Sequence, residues 1–296
     1  MRMVASQRML ARFLAVASVA LVVSCGTAEP EPITVGAGDS VESAVLAEIY
    51  AGALARTGAR TEVVSQLGGR AEYLAALDAN RIQVVGEHTG SLLAYFDDSA
   101  VAQLPEKVAD AVSAALPEGL VVSDMAEGAD LRPRVLLTDQ RAAHETVRSV
   151  GDLAPYCGEL IAGVASAPGL LRGTATFDRI AGCDFAATVA FSDPVELRKA
   201  LLDGRVHVGV LTVPPPLVPD ATAGLIVLSD DDYAVRAENV LPLFRKGLLD
   251  QRQITKLNYV AGELTTAELT TMIRQVRERG ATSGDVARAW LDAHAL

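Results

Sequence analysis

The segment Glu72-Tyr73-Leu74-Ala75-Ala76-Leu77-Asp78-Ala79-Asn80-Arg81-Ile82-Gln83-Val84 returns later in the chain as Glu196-Leu197-Arg198-Lys199-Ala200-Leu201-Leu202-Asp203-Gly204-Arg205-Val206-His207-Val208. The interval is constant: Glu72 pairs with Glu196, Ala76 with Ala200, Leu77 with Leu201, Arg81 with Arg205 and Val84 with Val208. Each copy follows an apolar stretch (61–67, then 187–191) and leads into another (82–85, then 206–213). Apolar residues at helical spacing, flanked by β-branched runs, read as strand, helix, strand. Asp193-Pro194-Val195-Glu196 adds a helix start: a capping acid, proline at the first helical position and a glutamate behind it. Amphipathic helices share residue types, so a chance match is the alternative to a true repeat.

Two such units predict an α/β chain with two lobes. Further strands are expected at 33–37, 120–124, 134–137, 160–164 and 225–228. Helices are expected at 41–56, 106–115, 170–180, 266–279 and 284–293. Thr265-Thr266-Ala267-Glu268 and Asp39-Ser40-Val41-Glu42 both have the pattern of a capping box. Alternating strands and helices point to largely parallel sheets covered on both faces.

The N-terminus is a different kind of segment. Arg2, Arg8 and Arg12 precede a nearly unbroken apolar run over 13–23, which ends at Ser24-Cys25. A positive start, a short apolar stretch and a small residue before a cut describe a secretory signal over 1–24. The run is too short to span a bilayer. Ser24-Cys25 resembles a bacterial lipobox, in which Cys25 is acylated; an ordinary signal peptide ending near a cysteine is the alternative. A tether with two prolines and two glutamates follows, making 25–32 an extended linker. These readings place the protein on the extracytoplasmic face of the cell membrane, anchored by lipid.

The sequence has 26 Lys and Arg against 37 Asp and Glu, a net charge of −11. Cleavage after residue 24 removes three arginines and no acid, so the balance becomes −14. A chain this acidic has no electrostatic footprint for nucleic acid. Cys157 and Cys183 remain, and two cysteines in an exported chain are expected to be bridged, against the alternative of two buried thiols. Neither has the spacing of a metal ligand, and no cofactor is implied.

A glycine-containing turn, Gly36-Ala37-Gly38-Asp39-Ser40, opens the first helix; Leu67-Gly68-Gly69 opens the next; Gly86-Glu87-His88-Thr89-Gly90 closes the following strand. Their joint order resembles the substrate-binding proteins of ABC importers for osmoprotectants, the glycine betaine, choline, carnitine and proline group. The resemblance runs from about residue 33 to the C-terminus. It implies a two-lobe periplasmic-binding-protein-like fold with two crossing hinge strands near 129–135 and 231–239. Lobe I is then 33–130 plus 236–296, and lobe II is 131–235. It also implies a small solute held between the lobes and an ABC permease as partner; the sequence gives no sign of oligomerisation, so a monomeric body is the default. A lipid-anchored sensor or scaffold with a degenerate binding fold is the second reading.

Candidate site residues follow. Turn 36–42 presents backbone N–H groups at a helix start, and Asp39 and Ser40 are placed to touch a ligand, although Asp39 also suits a helix cap. Gly69 permits close backbone approach, and Arg70 is either an anion contact or a solvated side chain. His88 stands where the resemblance implies a ligand-stacking tyrosine, and Thr89 beside it is a further candidate. Asn239 and Tyr233 lie by the second crossing. Ser40 and His88 replace aromatic residues of that family, and aromatics make up 4% of the chain. The ligand is therefore either an osmoprotectant or a divergent solute: a polar amino acid derivative, a sugar-like molecule or a flat phenolic compound. No hydrolase, zinc-protease or phosphate-loop motif is present, so an enzyme is not expected. His207 reads as structural, and His144 and His294 read as solvated.

Overall fold

The computed structural model describes residues 31–171 and 180–296. The expected signal segment, Cys25 and most of the tether fall on residues 1–30, outside the described residues, as does most of the helix expected at 170–180.

Chain order gives β1 (Ile33–Gly36), α1 (Val41–Ala55), β2 (Thr61–Val64), α2 (Arg70–Asp78), β3 (Val84–His88), α3 (Thr89–Phe96), α4 (Pro105–Ala115), β4 (Leu120–Val122) and β5 (Ala126–Asp130). The chain then passes to β6 (Arg134–Thr138), α5 (Asp139–Glu145), β7 (Ile161–Ala165), β8 (Ala187–Phe191), α6 (Pro194–Leu202), β9 (Val208–Leu211) and β10 (Leu225–Val227). It returns as β11 (Asn239–Arg245) and ends in α7 (Gln251–Glu263), α8 (Thr266–Arg279) and α9 (Ser283–Ala293).

Two sheets result. One has the order β2-β1-β3-β11-β4, with β5 also on β11; the other runs β10-β6-β9-β7-β8. Neither is largely parallel. β1 pairs β2 and β3 in parallel, as β7 does β8 and β9, but β11 runs antiparallel to β3, β4 and β5, and β6 to β9 and β10. The exceptions have one cause. β6 and β11 are the first strands after each passage between the sheets, so they enter from the opposite end.

The passages touch. The Leu131 amide donates to the Glu238 carbonyl at 3.0 Å, and the Glu238 amide donates to Asp130 Oδ1 at 3.0 Å. β5 and β6 are separated by residues 131–133, and the second passage takes strand form only from Asn239.

The repeat is structural. Ala76, Leu77 and Val84 are buried, as are their mates Ala200, Leu201 and Val208. Arg81 donates its amide to the Ala76 carbonyl at 2.9 Å, and Arg205 does the same to Ala200 at 2.9 Å. The turn between helix and strand is left-handed in both copies, at Asn80 (φ 56°) and Gly204 (φ 71°). Asparagine and glycine are the residues that adopt this conformation at least cost.

Each sheet is covered on both faces. Val35, Val84, Val240 and Phe244 of the first sheet pack with α1, α7, α8 and α9. Its other face, through Val85, Leu241 and Leu243, packs with α2, α3 and α4. In the second sheet, Val135, Leu137 and Val208 cover a cluster containing Cys157 and Cys183, while Leu136 and Leu211 meet α6. Cys157 and Cys183 form a disulfide. The caps at Asp193 and Thr265 form as expected. At α1 the cap is Ser40, whose hydroxyl accepts the Ser43 amide at 3.0 Å. Asp39 sits one residue earlier and accepts the Gly68 amide instead, at 3.1 Å.

Candidate functional site

A cavity of about 230 Å³ opens between residues of the two sheets. One side is Gly38, Asp39, Ser40, Gly68 and Gly69; the other is residues 166–169 with Leu171, Thr212 and Val213. The first side is built from the turns after β1 and β2, which lock together. Asp39 donates its amide to the Gly68 carbonyl at 3.3 Å and receives the Gly68 amide on Oδ1. A Cβ on Gly38 would stand 2.8 Å from the Gly68 carbonyl oxygen, so only glycine allows this approach. The opposite side is the turn after β7 and the end of β9.

The N-terminus of α1 already has acceptors. The Val41 amide donates to the Gly169 carbonyl at 2.9 Å, and the Glu42 amide to Leu170 at 3.1 Å. Carbonyl oxygens from the opposite side thus take the positive end of the helix that sequence reasoning offered to a ligand.

Asp39, Ser40 and Gly69 line the cavity. Arg70, His88, Thr89 and Asn239 do not; they belong to a buried polar network beneath it. Arg70 Nε and Nη2 donate to the two oxygens of Glu87, both at 3.1 Å. Glu87 is fully buried and also accepts from the Tyr73 hydroxyl and, at 3.0 Å, from the His88 amide. Burial works against the charge on Arg70, yet Glu87 beside it, helped by Tyr73, holds its pKa above the ordinary arginine range. His88 Nε2 meets Glu42 Oε1 at 3.2 Å.

Glu238 accepts from the amide and hydroxyl of Ser91, at 2.9 and 2.7 Å. Burial raises its pKa, while His88, Ser91 and Arg70 pull it down. Thr89 Oγ1 accepts the Asn239 amide at 3.0 Å, and Asn239 Nδ2 donates to the Ala126 carbonyl at 3.0 Å, fastening β5 to β11. Tyr233 lies against Arg132, whose guanidinium carbon is 3.8 Å from the ring centroid. Arg132 also meets Asp130 at 3.2 Å and Asp230 at 3.6 Å, so this cluster joins the two passages.

Two further histidines behave as read: His207 accepts the Ile161 amide on Nδ1 at 3.0 Å, and His144 is exposed. His294 is not solvated as expected. It is half-buried, with Nδ1 2.8 Å from the Trp290 carbonyl and Nε2 3.0 Å from Glu268.

Residues 31–293 match the family described as the substrate-binding domain of ABC-type glycine betaine transport systems, OpuAC. The chain belongs to this family. Solved structures agree on the fold. A glycine betaine/carnitine/choline ABC transporter structure superposes with a TM-score of 0.65 at 18% identity, covering 89% of this chain and 98% of the other. Apo YehZ from Escherichia coli gives 0.61 at 19% identity, covering 89% and 99%. An ABC-transporter choline-binding protein in complex with choline gives 0.51 at 16% identity, covering 90% and 91%. No curated protein matches the sequence.

OpuAC membership makes the chain a substrate-binding transport protein with a two-lobe fold, not an enzyme. A small solute and an ABC permease are the partners this implies, on the extracytoplasmic side. Among the described residues no helix is long and apolar enough to cross a membrane.

Sequence reasoning missed Glu42, Glu238 and the whole far wall of the cavity. The wall had a signal. Thr212 is the mate of His88 at the interval of the repeat, and the turn after β7 stands in its unit where the Asp39 turn stands in the first.

Proposed function

We propose that this chain is the lipid-anchored solute-binding component of an ABC importer, working as a monomer tethered through Cys25. Lobe I, 33–130 with 236–296, and lobe II, 131–235, close on a small solute by bending at the two passages. The closed complex then docks on the permease. The observation that carries this reading is the cavity lined by turns from both sheets, with hydrogen bonds crossing its rim. Asp39, Ser40 and Gly69 contact the solute. Arg70 and His88 support those turns from the buried network, Thr89 and Asn239 fasten β5 to β11, and Tyr233 with Arg132 stiffens the passages. Affinity comes from enclosure and a few placed polar groups.

The test is thermal unfolding of the mature protein with glycine betaine, choline, carnitine, proline, ectoine, sugars, phenolic glycosides and small amines. A solute at 100 times its Kd adds about 2.7 kcal/mol to stability, a clear rise in Tm. A rise with any of them supports capture between the lobes. No response across the panel, together with retention of a second protein, would replace solute capture with a sensor or scaffold role.

A further inference from the structure

We infer that the cleft selects a carboxylate-free cation that donates hydrogen bonds: a small primary amine carrying hydroxyl groups. This rests on the solute-binding reading above and names the class of solute.

The argument is a balance of donors and acceptors at the cavity wall. A carboxylate on a ligand needs donors, and several of those nearby are taken up by the protein itself. The Val41 and Glu42 amides point to Gly169 and Leu170 across the cleft. The Gly38 amide donates to Ser43 Oγ at 2.8 Å, and the Asp39 and Gly68 amides are held in the turn–turn contact. The Thr212 hydroxyl donates to the Ala165 carbonyl at 3.1 Å, and the Ser40 hydroxyl points to Glu42 at 3.5 Å. Acceptors also face the cavity, the Asp39 carboxylate foremost among them.

Charge points the same way. Among the described residues of the wall, Asp39 is the one ionisable side chain. Its Oδ1 accepts from Gly68, and Oδ2 has no protein partner among the described residues. An ammonium with N–H groups satisfies that oxygen directly with a charge-assisted bond. A quaternary ammonium has no N–H to give and is held by ring faces, and no described residue of the wall is aromatic. The volume of about 230 Å³ restricts the ligand to a compact molecule.

Ethanolamine and choline isolate the point, because they share a skeleton and differ in N–H against N–CH₃. Calorimetric titration of the mature protein with ethanolamine, glucosamine, choline and glycine betaine is the experiment, repeated on Asp39→Asn. We expect an amine to bind at least tenfold more tightly than choline or glycine betaine. Asp39→Asn should weaken it at least tenfold while the ligand-free Tm stays put. Tighter binding of choline or glycine betaine overturns this ligand class and leaves the solute-binding reading intact. Amine binding unaffected by Asp39→Asn overturns it too. Silence from all four probes overturns it, and the wider solute panel then decides the solute-binding reading separately.

Discussion

Arg70 grips Glu87 through two parallel hydrogen bonds of 3.1 Å, in a place where the Glu87 side chain is wholly hidden and the Arg70 side chain nearly so. The pair joins the first turn of α2 to β3 directly under the Gly68–Gly69 turn. The guanidinium is turned to Glu87, and Arg70 is not among the residues that line the cavity.

Removing one partner takes the bidentate ion pair from a buried charge, and breaking a buried pair in this way typically costs 3–5 kcal/mol. Arg70→Met should therefore lower unfolding stability by about 3–5 kcal/mol in urea titration. Replacing both, Arg70→Met with Glu87→Leu, should recover most of the loss. A single variant within about 0.5 kcal/mol of the parent would mean that the pair is a surface interaction in practice.

The Cys157–Cys183 disulfide spans 26 residues and sits in the buried cluster of the second sheet. In the chain-entropy model a loop of that length contributes about 3.5 kcal/mol. Reduction, or the Cys157→Ser and Cys183→Ser pair, should lower the Tm markedly. The loss should fall on the second sheet's unfolding, followed by hydrogen exchange in β7 and β9. An unchanged Tm in reductant under conditions where both thiols titrate would show that burial alone holds this cluster.

His207 gives a pH dependence with a definite sign. Its Nδ1 accepts the Ile161 amide, which only the neutral ring can do. Burial lowers its pKa below the ordinary 6.5, and Arg141 adds to that. Below 6.5 the unfolded chain takes up a proton that the folded chain refuses. Stability from this group is therefore present at neutral pH and declines as pH falls through 6.5 and below. Urea midpoints at pH 7.5 and 5.0 should differ more for the parent than for His207→Asn. Equal differences would assign the acid loss to other groups.

Much of the fold was legible because local signals agreed. Thr265 and Glu268 announced α8, and its bounds at Thr266–Arg279 match the expectation to the residue. Asp193-Pro194 did the same for α6. α3 was not legible: it begins at the end of β3, and its N-cap residue His88 makes no capping hydrogen bond. α7 has a full capping box at Asp250 and Gln253 that went unread, because its apolar residues are sparse. The site divides along the same line. Asp39, Ser40 and Gly69 could be read because the turn itself puts them at the cavity. His88 could not, since its inward direction depends on Glu42, which comes from another element. Nothing local reveals that His88 meets Glu42 and lies near enough to Glu238 to act on its charge, from three separate parts of the chain.

Leu170 sets the last prediction. It comes from the loop after β7, yet it is 6% exposed and buried in the cluster formed mainly by α1 and the C-terminal helices. Its carbonyl caps the Glu42 amide, and Arg277 reaches from α8 to the Leu217 carbonyl at 3.2 Å. These contacts link residues on the two sides of the cleft. Burying a leucine contributes about 1.5–3 kcal/mol, and under the lobe closure proposed above that energy favours the closed form over the open one. Leu170→Asp should shift this balance toward open by roughly 10- to 100-fold. The unliganded radius of gyration in X-ray scattering should then rise, with a fall in unfolding Tm no larger than the lost leucine burial accounts for. Solute affinity should fall in the same proportion, because the solute must now close the lobes unaided. A variant with parental scattering but weaker binding would make Leu170 a wall of the pocket and not a latch.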